Sequence, residues 1–133
     1  SDVVQSAAHR TAPRLFAMAG MKPADVDLAE IYDCFTFAVP LQLEDYGFCR
    51  PGEGGDFIAD GNTAPGGRLP VNTHGGCRSG GYVHGLNHVC EAGSQLRGEA
   101  GDRQVPNARI ALSTGAPGYV GGATSALLLR RDA

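Results

Sequence analysis

Residues 72–85 read NTHGGCRSGGYVHG, with two glycine pairs and a fifth glycine inside fourteen positions. A backbone this bare of side chains can approach a ligand or another strand closely and turn sharply before the next element begins. The spacing does not match the three-glycine dinucleotide fingerprint, and no lysine followed by Ser or Thr completes a phosphate loop. At a helix start, such a segment can aim backbone N–H groups at a carbonyl oxygen that gains negative charge, or its glycines can serve tight packing alone. A second tract, GFCRPGEGGDFIADGNTAPGGRLP at 47–70, holds seven glycines and three prolines. It reads as one long connection, and long connections in folded domains are commonly functional. Glycine supplies 20 of the 133 residues, roughly twice its usual share. With 42% apolar residues beside them, these glycines indicate a folded chain rather than disorder.

Around these tracts the periods alternate. Val4, Ala8, Ala12, Leu15 and Ala19 recur at helical intervals, with Pro13 separating a first turn from a firm helix through RLFAMAG. Gly20 stands where a left-handed C-cap is wanted and Pro23 prevents continuation. DLAEIYD (27–33) reads as a strand, and FTFAVPLQLEDY (35–46) as a helix capped by Asp33 or Thr36 with Pro40 near its first turn. LPVNTHGG (69–76) is a short strand running into the glycine turn. YVHGLNHVCEAGSQLRG (82–98) is a third helix, with Val83, Leu86, Val89, Cys90 and Leu96 in phase. ARIALST and GATSALLLRR are two closing strands joined by APGYVGG. The order predicts an α/β domain in three layers, a mixed four-stranded sheet with helices packed on it. The unbroken ALLL run predicts a strand that is central or covered by a partner.

Charge and cysteine content narrow the function classes. Eleven basic against fourteen acidic residues leave −3, too little positive charge for nucleic-acid binding by bulk electrostatics. No apolar run approaches the ~18 residues of a membrane span. SDVVQSAAHR lacks a secretory signal pattern, and Cys34, Cys49, Cys77 and Cys90 have neither zinc-knuckle nor redox-motif spacing. Reduced, packed thiols in a cytoplasmic protein are expected. His74, Cys77, His84 and His88 are candidate metal ligands, since 84 and 88 share a helix face. Their outer spacing fits no standard zinc module, so no metal is expected.

Four blocks, taken in order, carry a family resemblance: EIYDCF at 30–35, NTHGG at 72–76, the helix start after Gly81, and ALSTGAPGYVGG at 111–122. AGMKPADVD at 19–27 and the GEGG…APGG…LPVNTHGG region at 52–76 extend it. The chain resembles the C-terminal half of the thiolase superfamily over nearly all its length, and is most similar to the lipid-transfer-protein-like or sterol-carrier-protein-type branch. It departs from that pattern where the chemistry lies. Tyr32 stands in place of an Asn or His, Tyr82 in place of the histidine of a Gly-His-Pro phrase, and Leu112-Ser113-Thr114-Gly115 where a cysteine acid/base is usual. His74 and Cys77 are not displaced copies of the lost groups. A Claisen thiolase needs a thiolate and an acid/base pair; the second-half groups for that are missing.

A pair of tyrosines at these two positions resembles the thiolase-fold aldolases that shorten steroid side chains. The resemblance implies catalytic roles for Tyr32 and Tyr82. It also implies substrate or oxyanion contacts from Gly115, the Gly75-Gly76 turn and His74, and a β-hydroxyacyl-CoA substrate cleaved to a ketone and a shorter acyl-CoA. Coenzyme A would enter as part of the substrate, with no permanently bound cofactor. A phenol can give and take a proton, but its free pKa near ~10 calls for a perturbing environment. Glu30 and Asp33 read equally as acids or as helix caps, and His84 either polarises a tyrosine or opens a helix. Tyr46 and Tyr119 are expected to be structural. The resemblance covers one of two similar halves, so residues 1–133 are expected to form one C-terminal domain that is inactive alone. It implies a missing N-terminal half, a homodimer, and an OB-fold or zinc-ribbon partner. Two other readings stay open: a degenerate thiolase or acyltransferase on CoA thioesters, and a non-catalytic assembly domain.

Overall fold

The computed structural model describes residues 5–118 and 122–132; Val4 and Tyr119 lie outside them. The first apolar period forms one helix, α1 (Ala8–Ala19), which buries Ala8, Ala12, Leu15 and Phe16. It runs straight through Pro13, contrary to the expected break. The lost hydrogen bond of one interior proline is outweighed by an apolar face that is continuous on both sides of it. Gly20 ends α1 at φ 64°, donating its N–H to Ala17 O while Met21 N–H reaches Phe16 O, as a left-handed cap should.

Three strands follow the predicted order, β1 (Leu28–Glu30), β2 (Ile110–Thr114) and β3 (Ala126–Arg130). β2 is central: it pairs in parallel with β1, Leu28 opposite Ala111, and antiparallel with β3, Ala111 opposite Leu129. Alternation along the strands feeds two cores. Ala29, Ile31 and Leu112 face α1 and a second helix, α2 (Ala38–Asp45), with Leu43 and Phe16. Leu28 and Ala111 face the opposite side, where Ala92 and Leu96 project from the long helix α5 (Leu86–Arg97). Helices thus cover both faces of a mixed sheet, as expected of the fold class.

The fourth strand contracts to a single bridge. Val71 pairs with Ala29 in parallel, and Asn72 N–H reaches Ala29 O at 3.1 Å. Asn72 then enters the left-handed region at φ 52°, which turns the chain away. Its side chain takes over the next rung: Ile31 N–H donates to Asn72 Oδ1 at 2.7 Å, and Asn72 Nδ2 donates to Ile31 O at 2.9 Å. Of the two alternatives for ALLL, central or covered by a partner, the first is corrected. β3 is an edge strand; Leu128 and Leu129 are partly buried against the two cores, and Leu127 is 49% exposed.

The tract at 47–70 is not structureless. It contains a short helix, α3 (Gly54–Ala59), and buries Phe57 and Leu69 in the α1/α2 core. Gly54 makes the contact between α2 and α3 intimate. A Cβ there would meet the Pro40 carbonyl oxygen at 2.6 Å, while Gly54 N–H donates to Glu44 Oε1 at 2.9 Å. Gly54→Ala is therefore expected to overpack this junction and destabilise the fold by about 1–3 kcal/mol. Urea denaturation measures the loss, and a midpoint equal to that of the parent would contradict it.

Candidate active site

β1 delivers Tyr32 to the site and the glycine-paired loop delivers Tyr82. At the end of β1 the backbone of Tyr32 is held from two sides. Its N–H donates to Thr114 Oγ1 at 2.9 Å, and its carbonyl accepts from Gln42 Nε2 at 2.8 Å. Thr114 Oγ1 in turn donates to Gln42 Oε1 at 2.9 Å. Gln42 is completely buried on the inner face of α2, so it ties α2, β1 and β2 into one frame around Tyr32. Replacing it by leucine would leave the Tyr32 carbonyl and the Thr114 hydroxyl without this partner inside the protein. Gln42→Leu is expected to cost about 2–4 kcal/mol, read as a lowered denaturation midpoint; an unchanged midpoint would remove Gln42 from this role.

The helix read over 82–98 starts four residues later, and the glycine turn before it holds a helical turn of its own. A single turn, α4 (Gly76–Ser79), precedes an irregular stretch before α5 starts at Leu86. In that stretch Tyr82 (φ 47°) and His84 (φ 51°) both adopt the left-handed conformation, costly for residues with side chains. Gly85, at φ 89°, packs against the Tyr32 ring, where a Cβ would approach Cδ2 to 3.3 Å. The chain therefore folds back over Tyr32. The two tyrosine rings meet edge to face with centroids 6.3 Å apart, and His84 Nδ1 lies 3.4 Å from the Tyr32 hydroxyl. Tyr32 is buried, whereas Tyr82 is 43% exposed. Burial first, and then the hydrogen bond and charge of Tyr82, push the Tyr32 phenol up to about 12.

The structure places the other predicted residues around this pair with differing access. Gly115 borders a cavity of about 230 Å³, together with His84, Gly85, Thr114 and Ser125. Its own N–H donates to Ser125 O at 2.8 Å, so that amide is committed within the chain. Gly75 N–H likewise donates to Asn72 O at 2.8 Å. Gly76 backs onto the Asp33 carboxylate, which a Cβ would strike. His74 points inward: Nδ1 lies 2.9 Å from Glu30 Oε2, and Nε2 lies 3.0 Å from Asn87 Nδ2. A larger groove of about 730 Å³ runs past His9, Pro13, Phe37 and Leu41. Neither Tyr32 nor Tyr82 lines this groove or the smaller cavity; His84 and Gly85, which both contact Tyr32, border the smaller one.

Beneath the loop is a polar network that the apolar periods do not reveal. α5 buries His88, Glu91 and Gln95 with Ala92 and Leu96, while Leu86 and Cys90 are exposed. The expected apolar phase is thus displaced, and a polar stripe is turned inward. Fully buried Glu30 receives His74 Nδ1 on one side and His88 Nδ1 at 3.9 Å. The Thr73 hydroxyl sits between Glu30 Oε1 (2.9 Å) and Glu91 Oε1 (2.7 Å), and Arg103 closes the chain on Glu91 at 3.0 Å. On the other side of His88, Nε2 meets Cys77 Sγ at 3.3 Å and Asp33 Oδ1 at 3.6 Å, while Cys77 N–H donates to Asp33 Oδ1 at 2.8 Å. Asp33 therefore serves the glycine loop instead of capping α2, which has no side-chain cap.

These groups also show which residues could hold a metal. Donor atoms of Glu30, His74 and His88, and of Asp33, Cys77 and His88, cluster within 4.8 Å of one another. His84, the fourth residue of the set weighed from spacing, lies against Tyr32 instead. Burial followed by Asp33 pushes the Cys77 thiol up, away from the thiolate form of a nucleophile.

Burial raises the Glu30 carboxyl, but the contacts of His74, His88 and Thr73 outweigh this and leave it below the ordinary value of 4.5. The Glu30 contact, opposed by burial, raises His74 above 6.5. The carboxylate's contribution is present above its ordinary pKa and is lost as pH falls through the depressed one. The imidazolium's contribution is present below its ordinary pKa and is lost as pH rises through the raised one. The pair should stabilise the fold most between about pH 4.5 and 6.5. Denaturation midpoints across pH are expected to show this maximum and to lose it in His74→Gln; identical profiles would refute the coupling.

The pattern of the family described as "Thiolase C-terminal domain-like" matches residues 1–130. The chain belongs to that family. It is 45% identical over 121 residues to the steroid side-chain-cleaving aldolase of Thermomonospora curvata, covering 90% of this chain and 29% of that protein. It is 45% identical over 118 residues to the 17-hydroxy-3-oxo-4-pregnene-20-carboxyl-CoA lyase of Mycobacterium tuberculosis, covering 87% and 29%. Among solved structures it superposes on the Ltp2-ChsH2(DUF35) aldolase with a TM-score of 0.92 and 39% identity, over 99% of this chain and 34% of that one. The chain spans less than a third of the length of these two curated relatives. Among the described residues, no helix is long and apolar enough to cross a membrane.

Proposed function

We propose that this chain is the C-terminal domain of a carbon–carbon lyase that cleaves a β-hydroxyacyl-CoA by a retro-aldol reaction, releasing a ketone and a shorter acyl-CoA. The observation that carries the reading is the meeting of Tyr32 and Tyr82 at 6.3 Å, from segments fifty positions apart in sequence. The aldolase and lyase names of the two relatives support the reaction class, and a CoA thioester accords with the second name. A base takes the β-hydroxyl proton, the Cα–Cβ bond breaks, and its electron pair passes into the thioester enolate. The enolate carbon is then protonated. The net change is a proton moved from oxygen to carbon, for which two adjacent phenols are suited. No covalent cysteine intermediate is needed, in keeping with a Cys77 held as thiol.

The cavity beside Gly115 and His84 would receive the thioester end. His74, tied to Glu30 and Asn87, would support the Gly75-Gly76 turn from beneath. Coenzyme A arrives with the substrate, and no resident cofactor is required. The N-terminal half would complete the acyl-CoA site. A homodimer and an OB-fold or zinc-ribbon partner complete the proposed assembly, in a cytoplasmic setting. The stacked, half-exposed Phe35 and Phe37 and exposed Leu127 are suited to being covered. A second reading, acyl transfer on CoA thioesters, is favoured by 44% identity over 101 residues to an acetyl-CoA acetyltransferase of Methanothermobacter thermautotrophicus.

The test is ketone release from a β-hydroxyacyl-CoA by the full-length protein. Tyr32→Phe and Tyr82→Phe keep the rings and remove the proton-transfer groups. Each is expected to lower kcat by about 10²–10⁴-fold with acyl-CoA binding retained. Near-parental turnover in both would remove the tyrosines from the mechanism, and acetyl transfer without ketone release would favour the second reading.

A further inference from the structure

We infer that His84 is a third member of the tyrosine site, a positioning residue that accepts the Tyr32 proton when Tyr32 takes one from the substrate. The inference rests on the retro-aldol reading above. Its first support is contact: His84 Nδ1 lies 3.4 Å from the Tyr32 hydroxyl, while its ring meets Tyr82 edge to face at 5.6 Å. Its second is backbone conformation. The segment has glycines at 80, 81 and 85, yet places Tyr82 and His84 in the left-handed region where glycine is favoured. Such strain persists where the surroundings hold a side chain in place, and here both side chains are turned onto Tyr32. Its third is access, since His84 also lines the cavity beside Gly115.

The relay supplies what the two phenols lack. A buried phenol pushed up to about 12 cannot wait as phenolate at neutral pH. It can take the β-hydroxyl proton only while giving up its own. With His84, the Tyr32 O–H bond breaks toward Nδ1 as the substrate O–H bond breaks toward the Tyr32 oxygen. The site then holds an imidazolium, a neutral phenol, a ketone and an enolate. Return of the proton from His84 through Tyr32, as the phenol protonates the enolate carbon, restores every group. Among the described residues, the titratable groups in contact with His84 are Tyr32 and Tyr82. Cys34 and Cys77 act on Tyr32 from its flanks, and His88 packs edge-on against it at 6.0 Å. The neighbours of His84 across the cavity, Ser113, Thr114 and Ser125, carry no charge.

The experiment uses the full-length protein and a β-hydroxyacyl-CoA. His84→Asn tolerates the left-handed backbone but cannot titrate, and His84→Gly removes the strain with the side chain. Both are expected to fold, with a thermal midpoint no lower than the parent's, while kcat falls about 10²-fold. The pH profile of kcat is expected to change shape in both variants. Parental kcat with an unchanged pH profile in both variants would overturn the inference. In that case, loss of activity in Tyr82→Phe would still leave the aldolase reading standing. If the parent protein releases no ketone, the aldolase reading fails and ¹⁵N imidazole shifts decide for His84. A bare Nδ1 that changes state in Tyr32→Phe supports the pairing; identical shifts overturn it.

Discussion

The buried carboxylate of Glu30 is the point on which the site depends. It stands at the end of β1, fully out of water, and is approached by the turn at Thr73–His74 and by His88 of α5. A carboxylate in that position is tolerable only while its partners stay close. The same contacts that offset its desolvation therefore fix the glycine turn against the sheet and α5 beneath it. Asp33 performs the matching task three residues on, holding Cys77 N–H and facing His88. Two acids on one strand end thus position a loop that has few side chains with which to position itself.

That arrangement explains why a glycine-rich segment can present two tyrosine rings in a defined relation. Its flexibility is taken up from below by polar contacts and from one side by Gly85 lying flat on Tyr32. The Gln42 amide, linking Tyr32 to Thr114, performs the same service within the sheet. Positional accuracy comes from completely buried side-chain amides and acids, with the apolar layers supplying cohesion around them.

Much of this was legible in the sequence. The order of helices and strands follows from apolar period and punctuation, with Gly20 and Gly98 ending helices as their positions suggest. The family resemblance located Tyr32 and Tyr82 on segments that do meet. What was illegible has a common physical cause. His88, Glu91 and Gln95 look like solvent-facing residues because a linear pattern cannot show that partners from β1, Thr73 and Arg103 await them. Val71 looks like the middle of a strand because nothing local says that Asn72 will turn away. Phe57 and Leu69, scattered among glycines and prolines, carry too little periodicity to disclose the short helix and its packing. In each case a tertiary partner overrode the local signal.

Asn72 has an effect on the sheet's outer margin as a whole. By occupying both backbone groups of Ile31 with one side-chain amide, it ends the ladder where a further strand would otherwise register. An open row of N–H and C=O groups invites pairing with any extended peptide, including another copy of the same chain. The Pro70–Asn72 backbone pairs with Ala29, and at Ile31, just past β1, a single side chain withdraws that invitation at the cost of one left-handed backbone angle. Strand addition is thereby blocked at Ile31, immediately before Tyr32.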